Sequence, residues 1–278
     1  MARRDKQDIR RGSGVIFLLF FLVRILAADI RADDAFSTAA PEDSDFILQD
    51  IENHIRAIQR KYHLEIIYRV LPPIDDPKLH FTLAVPTDDP FLLKYLELLE
   101  EEWAKYPSSF LAQSPLRQVY IVKRLFLEEQ AVEGFAEKTR RVIILDFLRS
   151  RSNALRQRHN FHHEIFHSVF GRIGQDTDWE ELNAEGFQYG KQKETESDNF
   201  DQPRLGFVTN YAMTAIEEDK AEVFGCLMMP SQHKLIRRWM EKDMVLKRKV
   251  EYMLRRLHDF CNEMDEDYWK GLMESKPL

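Results

Sequence analysis

Apolar residues recur every three to four positions in some stretches of this chain and form short runs in others. Residues 46–61 carry isoleucines at every third or fourth position, and residues 90–106 show a similar period, so both stretches predict helices. Short apolar runs, some of them bounded by prolines, predict strands at residues 64–71, 81–85, 119–122 and 142–147. The first half of the chain therefore combines helices with a small sheet.

Helical patterns dominate the second half. Residues 152–170 contain neither proline nor glycine and mix apolar with polar positions, which predicts one long helix, and a second helical run starts at Glu218. Residues 231–272 are mostly helical in pattern, and residues 131–135 predict the edge of the sheet. This order predicts an α+β fold, in which a small mixed sheet is followed by two helices and a helical C-terminal segment.

The N-terminal pattern differs from the rest. Basic residues near the start precede an apolar run at residues 15–23, which Arg24 interrupts. The run is shorter than the about 20 residues of a membrane span and fits the apolar core of an export signal. We predict a signal peptide or N-terminal membrane anchor at 1–28, a linker at 29–45, and one domain with a helical C-terminal extension at 46–278. The expected location is exported, either periplasmic or extracellular.

Composition is compatible with one enzyme domain. The 278 residues are 44% hydrophobic and 31% charged, which is sufficient for a full core. The formal net charge of −7 gives no support to nucleic-acid binding, and the basic run 247–249 predicts a solvated helix face. Cys226 and Cys261 fit either a disulfide or two buried thiols, with buried thiols slightly favoured.

Candidate chemistry concentrates in the sequence His163-Glu164-Ile165-Phe166-His167. On a helix, histidines four residues apart lie on one face and can bind the same metal ion. Glu164 points about 100° away from His163, so it can reach a metal-bound water without binding the metal itself. This spacing is a zinc-hydrolase signature. It predicts His163 and His167 as zinc ligands and Glu164 as the general base.

A catalytic zinc site of this kind needs a third protein ligand. Phe170 and Ile173 stand where metzincins carry a glycine and a third histidine, which excludes that class. In the gluzincin arrangement the third ligand is a glutamate on a second helix, and Glu185 and Glu218 are the candidates. Glu218 is favoured because it begins a helical run, whereas two glycines and an asparagine near Glu185 indicate a turn-rich loop.

Two segments resemble the putative zinc-binding metallopeptidases, a family whose site is similar to that of lethal-factor-type gluzincins. Residues 211–224 resemble the family's Tyr followed by a Glu-Asp-x-Ala-Glu helix, and residues 179–190 resemble its Trp, Leu-Asn and Gly-Phe-x-Tyr-Gly pattern. The likeness covers about residues 48–255. It implies a zincin-like fold, Glu218 as the third zinc ligand, and Tyr211 as a hydroxyl donor to the oxyanion of the reaction.

Other polar residues near these positions have further expected roles. Glu222 lies one turn after Glu218 and is expected to accept a hydrogen bond from a ligand histidine. Asp219 either orients a ligand histidine or complements the dipole of its helix. His159, four residues before the motif, extends the histidine stripe and offers an alternative metal pairing that lacks the glutamate. His162 is expected to face solvent or line the wall of the site.

These assignments predict a zinc-dependent hydrolase with Zn²⁺ as its cofactor, most simply a metallopeptidase acting on a peptide or protein substrate. The alternatives are a zincin-like binding or structural protein without activity, and a zinc amidase acting on a non-peptide bond. Glu164 favours an enzyme, because structural zinc sites usually close the fourth position with Cys or His. No nucleic-acid partner is expected, membrane contact is expected only through the N-terminal segment, and no pattern specifies an oligomeric state.

Overall fold

The computed structural model describes residues 41–74, 76–137, 141–170, 178–191 and 206–275. The signal or anchor predicted at 1–28 and the first part of the predicted linker lie outside these residues. The end of that linker is helical, because the first helix begins at Pro41. Among the described helices, none combines the length and the apolar character needed to cross a membrane.

Helices of the first half pack on one another as their apolar faces predict. Helix α1 (Pro41–Tyr62) buries its isoleucines against α2 (Asp89–Trp103). Helix α2 ends at Trp103, whose fully buried ring stands edge-on to Phe161. A short helix, α3 (Ser108–Gln113), follows Pro107 and was not predicted from the sequence.

Within the described residues, six strands form one mixed sheet. They are β1 (Glu65–Ile67), β2 (Leu79–Thr82), β3 (Gln118–Leu127), β4 (Gln130–Ala131), β5 (Gly134–Glu137) and β6 (Val142–Asp146). The main path runs β1-β3-β6-β5, with β3 parallel to β1 and to β6. Strand β5 is antiparallel to β6 and is the last strand of the path.

Strand β3 is much longer than the predicted segment 119–122. Its first half pairs with β1 and β6, and its second half pairs in antiparallel fashion with β2 and β4. Strand β2 covers 79–82 instead of the predicted 81–85, and β1 covers only part of the predicted 64–71. Pairing with β3 sets these boundaries, and a strand partner is not visible in the apolar pattern of one segment.

The second half is helical. Its elements are α4 (Ala154–Phe170), α5 (Asp178–Glu181), a 3₁₀ turn (Tyr211–Met213), α6 (Ile216–Met228), α7 (Pro230–Met240), α8 (Met244–Phe260) and α9 (Glu266–Glu274). The predicted segment 231–272 is divided by two aspartate caps. Asp243 accepts hydrogen bonds from the first backbone amides of α8, and Asp265 caps α9.

Helices α4 and α6 pack against each other, and α4 also contacts the edge strand β5. Every residue of α6 from Asp219 to Met228 is buried, so the charged groups on this helix must find partners inside the protein. Cys226 and Cys261 are both buried free thiols. The predicted α+β class, with a small mixed sheet followed by helices, is confirmed.

Candidate functional site

Two helices bring together the three side chains predicted as zinc ligands. His163 and His167 lie one turn apart on α4, and Glu218 lies in the first turn of α6. Glu218 Oε2 is 3.0 Å from His163 Nε2 and 3.3 Å from His167 Nε2, and the two histidine nitrogens are 3.0 Å apart. These three ligand atoms form a group of metal-binding type, although 51 residues separate Glu218 from His167.

The hydrogen bonds and charges around His163 favour a cation between the three ligand atoms. His163 Nδ1 donates a hydrogen bond to Glu222, so in the neutral ring Nε2 keeps the lone pair. That lone pair faces the Glu218 oxygen, an arrangement that is repulsive unless a positive charge lies between them. Although burial opposes it, the carboxylates of Glu218 and Glu222 raise the pKa of His163 well above its usual value. The site therefore attracts positive charge.

Zinc also fits the spacing. Tetrahedral zinc with bonds of about 2.0–2.1 Å places its ligand atoms roughly 3.3 Å apart. The observed separations of 3.0 to 3.3 Å are close to this value. Although burial disfavours ionisation, the imidazoles of His167 and His163 hold the pKa of Glu218 well below its usual value, so it is a carboxylate at neutral pH. Two imidazoles and one carboxylate are a ligand set that catalytic zinc uses.

Glu222 contacts the other ring nitrogen of His163. Its Oε1 lies 2.8 Å from His163 Nδ1, and its Oε2 accepts a 2.7 Å hydrogen bond from Thr209 Oγ1. A carboxylate at this position fixes the ring orientation of a ligand histidine and directs its other nitrogen to the metal. Thr209 is not part of a recognisable sequence motif, and only the fold places it next to Glu222.

Glu164 is only 6% exposed and lies against the edge strand β5. Burial raises the pKa of its carboxyl group. The backbone of β5 comes so close that a Cβ atom added to Gly134 would lie 2.8 Å from Glu164 Cδ and Oε1. Real Cβ atoms essentially never come this near to another heavy atom. Gly134 therefore allows the strand to approach the side chain predicted as the general base.

Tyr211 also lies beside the group, in the 3₁₀ turn that precedes α6. Its ring centroid is 5.9 Å from that of His163, and 40% of the residue is exposed. The charge of Glu218 is the main cause that raises the pKa of Tyr211 well above its usual value. Its hydroxyl group therefore keeps its proton at neutral pH, as a hydrogen-bond donor must.

Asp219 does not orient a ligand histidine. Its Oδ2 atom accepts hydrogen bonds from Trp179 Nε1 at 2.9 Å, Tyr189 Oη at 2.7 Å and Lys249 Nζ at 2.7 Å. Lys249 is fully buried, so the prediction of a solvated face for 247–249 is wrong at this residue. Lys249 also donates to the carbonyl of Gly206. The Asp219–Lys249 pair thus joins α6 and α8 to the chain segment that leads to Tyr211.

His162 is fully buried, contrary to the expectation that it faces solvent or the site wall. Its Nε2 is 2.6 Å from Glu102 Oε2, and its Nδ1 is 2.7 Å from Tyr106 Oη. Glu102 also pairs with Arg158 of α4. These contacts tie α4 to α2, so His162 holds the metal-site helix in place.

Glu185 lies in an exposed turn, next to Gly186 with a φ of 80°. Two groups of side chains within the described residues could hold a metal ion: His163, His167 and Glu218, and His159, His163 and Glu222. Neither group contains Glu185. The choice of Glu218 from the sequence is thus consistent with the geometry. The second group contains His159, which the sequence offered as an alternative metal partner, and its Nε2 lies 3.1 Å from Glu222 Oε1.

Comparisons with known proteins identify a family and a similar fold. The profile of a family described as putative zinc-binding metallo-peptidase matches residues 84–269. The fold is similar to the crystal structure of a putative zinc-binding metallo-peptidase from Bacteroides caccae, with a TM-score of 0.51 and 17% sequence identity over 84% of this chain and 93% of that one. No curated protein matches the chain significantly. The family match covers most of the chain, and the protein therefore belongs to the family of putative zinc-binding metallo-peptidases.

Proposed function

We propose that this protein is a zinc-dependent peptidase of the gluzincin type, with peptides or proteins as substrates. The observation that carries the proposal is the convergence of His163 Nε2, His167 Nε2 and Glu218 Oε2 beside the buried Glu164. Three protein ligands leave one coordination position for water or substrate, whereas structural zinc sites usually fill all four positions with protein groups.

Zinc held by these residues would lower the pKa of a bound water towards about 7 and polarise the carbonyl of the scissile bond. Glu164 is the group that takes the proton, because burial brings its pKa closer to the operating pH of an enzyme than that of an exposed glutamate. Tyr211 is the donor to the developing oxyanion, since it keeps its hydroxyl proton and is partly exposed.

Substrate binding is assigned to the edge strand β5. This strand ends the sheet path and runs along α4 beside Glu164. An extended peptide can add to such an edge through main-chain hydrogen bonds, which would place a peptide bond near the metal ligands. Main-chain recognition of this kind favours a peptide over a non-peptide amide.

We also propose that the protein acts outside the cytoplasm. The basis is the sequence of residues 1–28, in which basic residues precede a short apolar run. Expression of the full chain in its host, followed by cell fractionation and N-terminal sequencing, tests this proposal. A cytoplasmic protein that retains its complete N-terminus would contradict it.

Zinc content of the purified full-length protein is the first test of function. Elemental analysis should find about one zinc per chain in the wild type and much less in His163→Ala. His258→Ala is the matched control, because His258 is exposed on α8 and should leave zinc content unchanged. A peptide library analysed by mass spectrometry should then show cleavage that a chelator abolishes and added zinc restores. Zinc binding without cleavage would favour a binding protein over an enzyme.

A further inference from the structure

A second group of buried side chains lies behind the zinc-ligand group. His159 is on α4, one turn before His163, and is 6% exposed. Its Nε2 lies 3.1 Å from Glu222 Oε1, and its Nδ1 lies 3.1 Å from Gln232 Oε1 on α7. His159 therefore connects the carboxylate that supports a zinc ligand to the next helix of the fold.

His159 and His163 both contact the same oxygen atom of Glu222. Glu222 Oε1 is 2.8 Å from His163 Nδ1 and 3.1 Å from His159 Nε2, and Thr209 donates a hydrogen bond to the other oxygen, Oε2. The position of Oε1 determines where the His163 N–H must point, and hence the direction of its Nε2. A second N–H bonded to the same oxygen restricts that position. Without it, Glu222 would be held only by His163 itself and Thr209 among these contacts.

The backbone of α6 is shaped around the His159 ring. A Cβ atom at Gly225 would lie 2.8 Å from His159 Cε1 and 3.0 Å from its Nδ1, so only glycine fits there without displacing the ring. Glycine inside a helix is destabilising relative to alanine. Here it permits the close approach of an imidazole, and this observation is independent of the hydrogen bonds.

We propose that His159 is a positioning residue of the zinc site, which acts through Glu222 on the orientation of His163 and so on the affinity for zinc. This inference rests on the zinc site proposed above. The relevant chemistry is the N–H that His159 directs at Glu222, with Gly225 and Gln232 fixing the ring.

The test compares four variants of the full-length protein. His159→Leu removes the N–H, and His159→Gln retains an N–H donor near the position of Nε2. Gly225→Ala displaces the ring without removing any polar group, and Gly271→Ala is its control, because nothing lies within 4 Å of a Cβ at Gly271. Zinc dissociation constants are measured by competition with a chromophoric chelator. The visible spectrum of the Co²⁺-substituted protein reports the ligand geometry.

We expect His159→Leu to weaken zinc binding by about 10-fold or more, as is typical for partners of metal-bound histidines. His159→Gln should restore most of the affinity and the cobalt spectrum, Gly225→Ala should resemble His159→Leu, and Gly271→Ala should resemble the wild type. Urea unfolding of the metal-free variants controls for loss of fold.

Several results would overturn the inference. If His159→Leu binds zinc as tightly as the wild type, His159 does not position the site. If His159→Leu and His159→Gln lose equal zinc affinity, His159 acts only through packing and not through its N–H. Two zinc ions per wild-type chain, falling to one in His159→Leu, would make His159 a ligand in its own right. A wild-type protein that binds no zinc would instead refute the proposed function, and this inference with it.

Discussion

The backbone of Gly134 lies in contact with the side chain of Glu164, so close that no other residue type fits between the edge strand and this proposed general base. Gly134→Ala places a methyl group 2.8 Å from Glu164 Cδ and Oε1. We expect this substitution to displace the carboxylate and reduce kcat/KM by at least about 100-fold, the order of a lost general base, while zinc stays bound. Peptide cleavage and zinc content measure the two effects.

The same exchange at another glycine provides the control. A Cβ at Gly271 on α9 meets nothing within 4 Å, so Gly271→Ala should leave activity unchanged. Alanine also raises helix propensity, which should stabilise the protein by up to about 1 kcal/mol. Full activity in Gly134→Ala would show that Glu164 and β5 can separate at no cost to the reaction.

Replacement of Glu164 by Gln tests proton transfer directly. The amide keeps the size of the side chain but cannot accept the proton, so we expect kcat to fall by about 10²–10⁴-fold with zinc content unchanged. Elemental analysis and steady-state kinetics are the measurements, and Glu185→Gln on the exposed turn is the control. An active Glu164→Gln enzyme would disprove the assignment of the general base.

The third ligand is tested by two alanine variants. Glu218→Ala removes an oxygen that lies within 3.3 Å of both histidine nitrogens, and we expect it to lose zinc. Glu185→Ala should keep zinc, because its side chain is exposed and lies outside the ligand group. Zinc titration of both proteins decides whether Glu218 or Glu185 is the third ligand. The opposite pattern would place the third ligand on the turn instead of on α6.

One-sided disruption of the buried pair Asp219–Lys249 should destabilise the fold. Lys249→Met leaves a buried carboxylate without its cation, and breaking such a pair on one side typically costs about 3–5 kcal/mol. We expect a loss of this size in urea unfolding. Adding Asp219→Asn to Lys249→Met should recover part of it, because the unpaired charge is then gone. If the losses in the free energy of unfolding of Lys249→Met and Asp219→Asn simply add in the double variant, the two residues do not act as a pair.

Acid should destabilise the fold through His233. This residue is fully buried on α7, its Nδ1 donates to the carbonyl of Leu227, and burial lowers its pKa to about 4. The unfolded chain, with a pKa of about 6.5, binds the proton more readily. The stabilisation is therefore complete above pH 6.5 and is lost as the pH falls towards 4.

The measurement is the free energy of unfolding from pH 7 to 4.5 in the presence of a chelator. Wild type should lose on the order of 2 kcal/mol more than His233→Phe over this range. His258→Ala, which changes an exposed histidine, should follow the wild type. Parallel curves for wild type and His233→Phe would mean that His233 keeps an ordinary pKa in the folded protein.

Local patterns in the sequence determined much of the site and of the helical half of the fold. The i, i+4 spacing of His163 and His167 needs only a helix, and the absence of proline and glycine around them predicts that helix. Glu218 was chosen because it begins a second helical run, and the structure places it across from both histidines. These features depend on backbone sterics and on hydrogen bonds between residues a few positions apart.

Tertiary packing decided the partners of the buried polar groups. Asp219 and Glu222 are one turn apart on α6, yet the first faces Lys249 of α8 and the second faces two histidines of α4. The sequence predicted the contact of Glu222 with a ligand histidine, but it did not predict that Asp219 would meet Lys249. It likewise did not show that β3 would extend to Leu127 to pair with β2 and β4.

The physical reason lies in the range of the forces involved. Helix periodicity and the zinc motif depend only on residues a few positions apart. The sequence by itself therefore determined how the two histidines and Glu164 are placed relative to one another on a helix. Which buried carboxylate meets which donor depends on how whole helices cross, since each buried polar group must find a partner wherever packing places it. The link from Gln232 through His159 and Glu222 to His163 therefore existed only once α4, α6 and α7 were packed together.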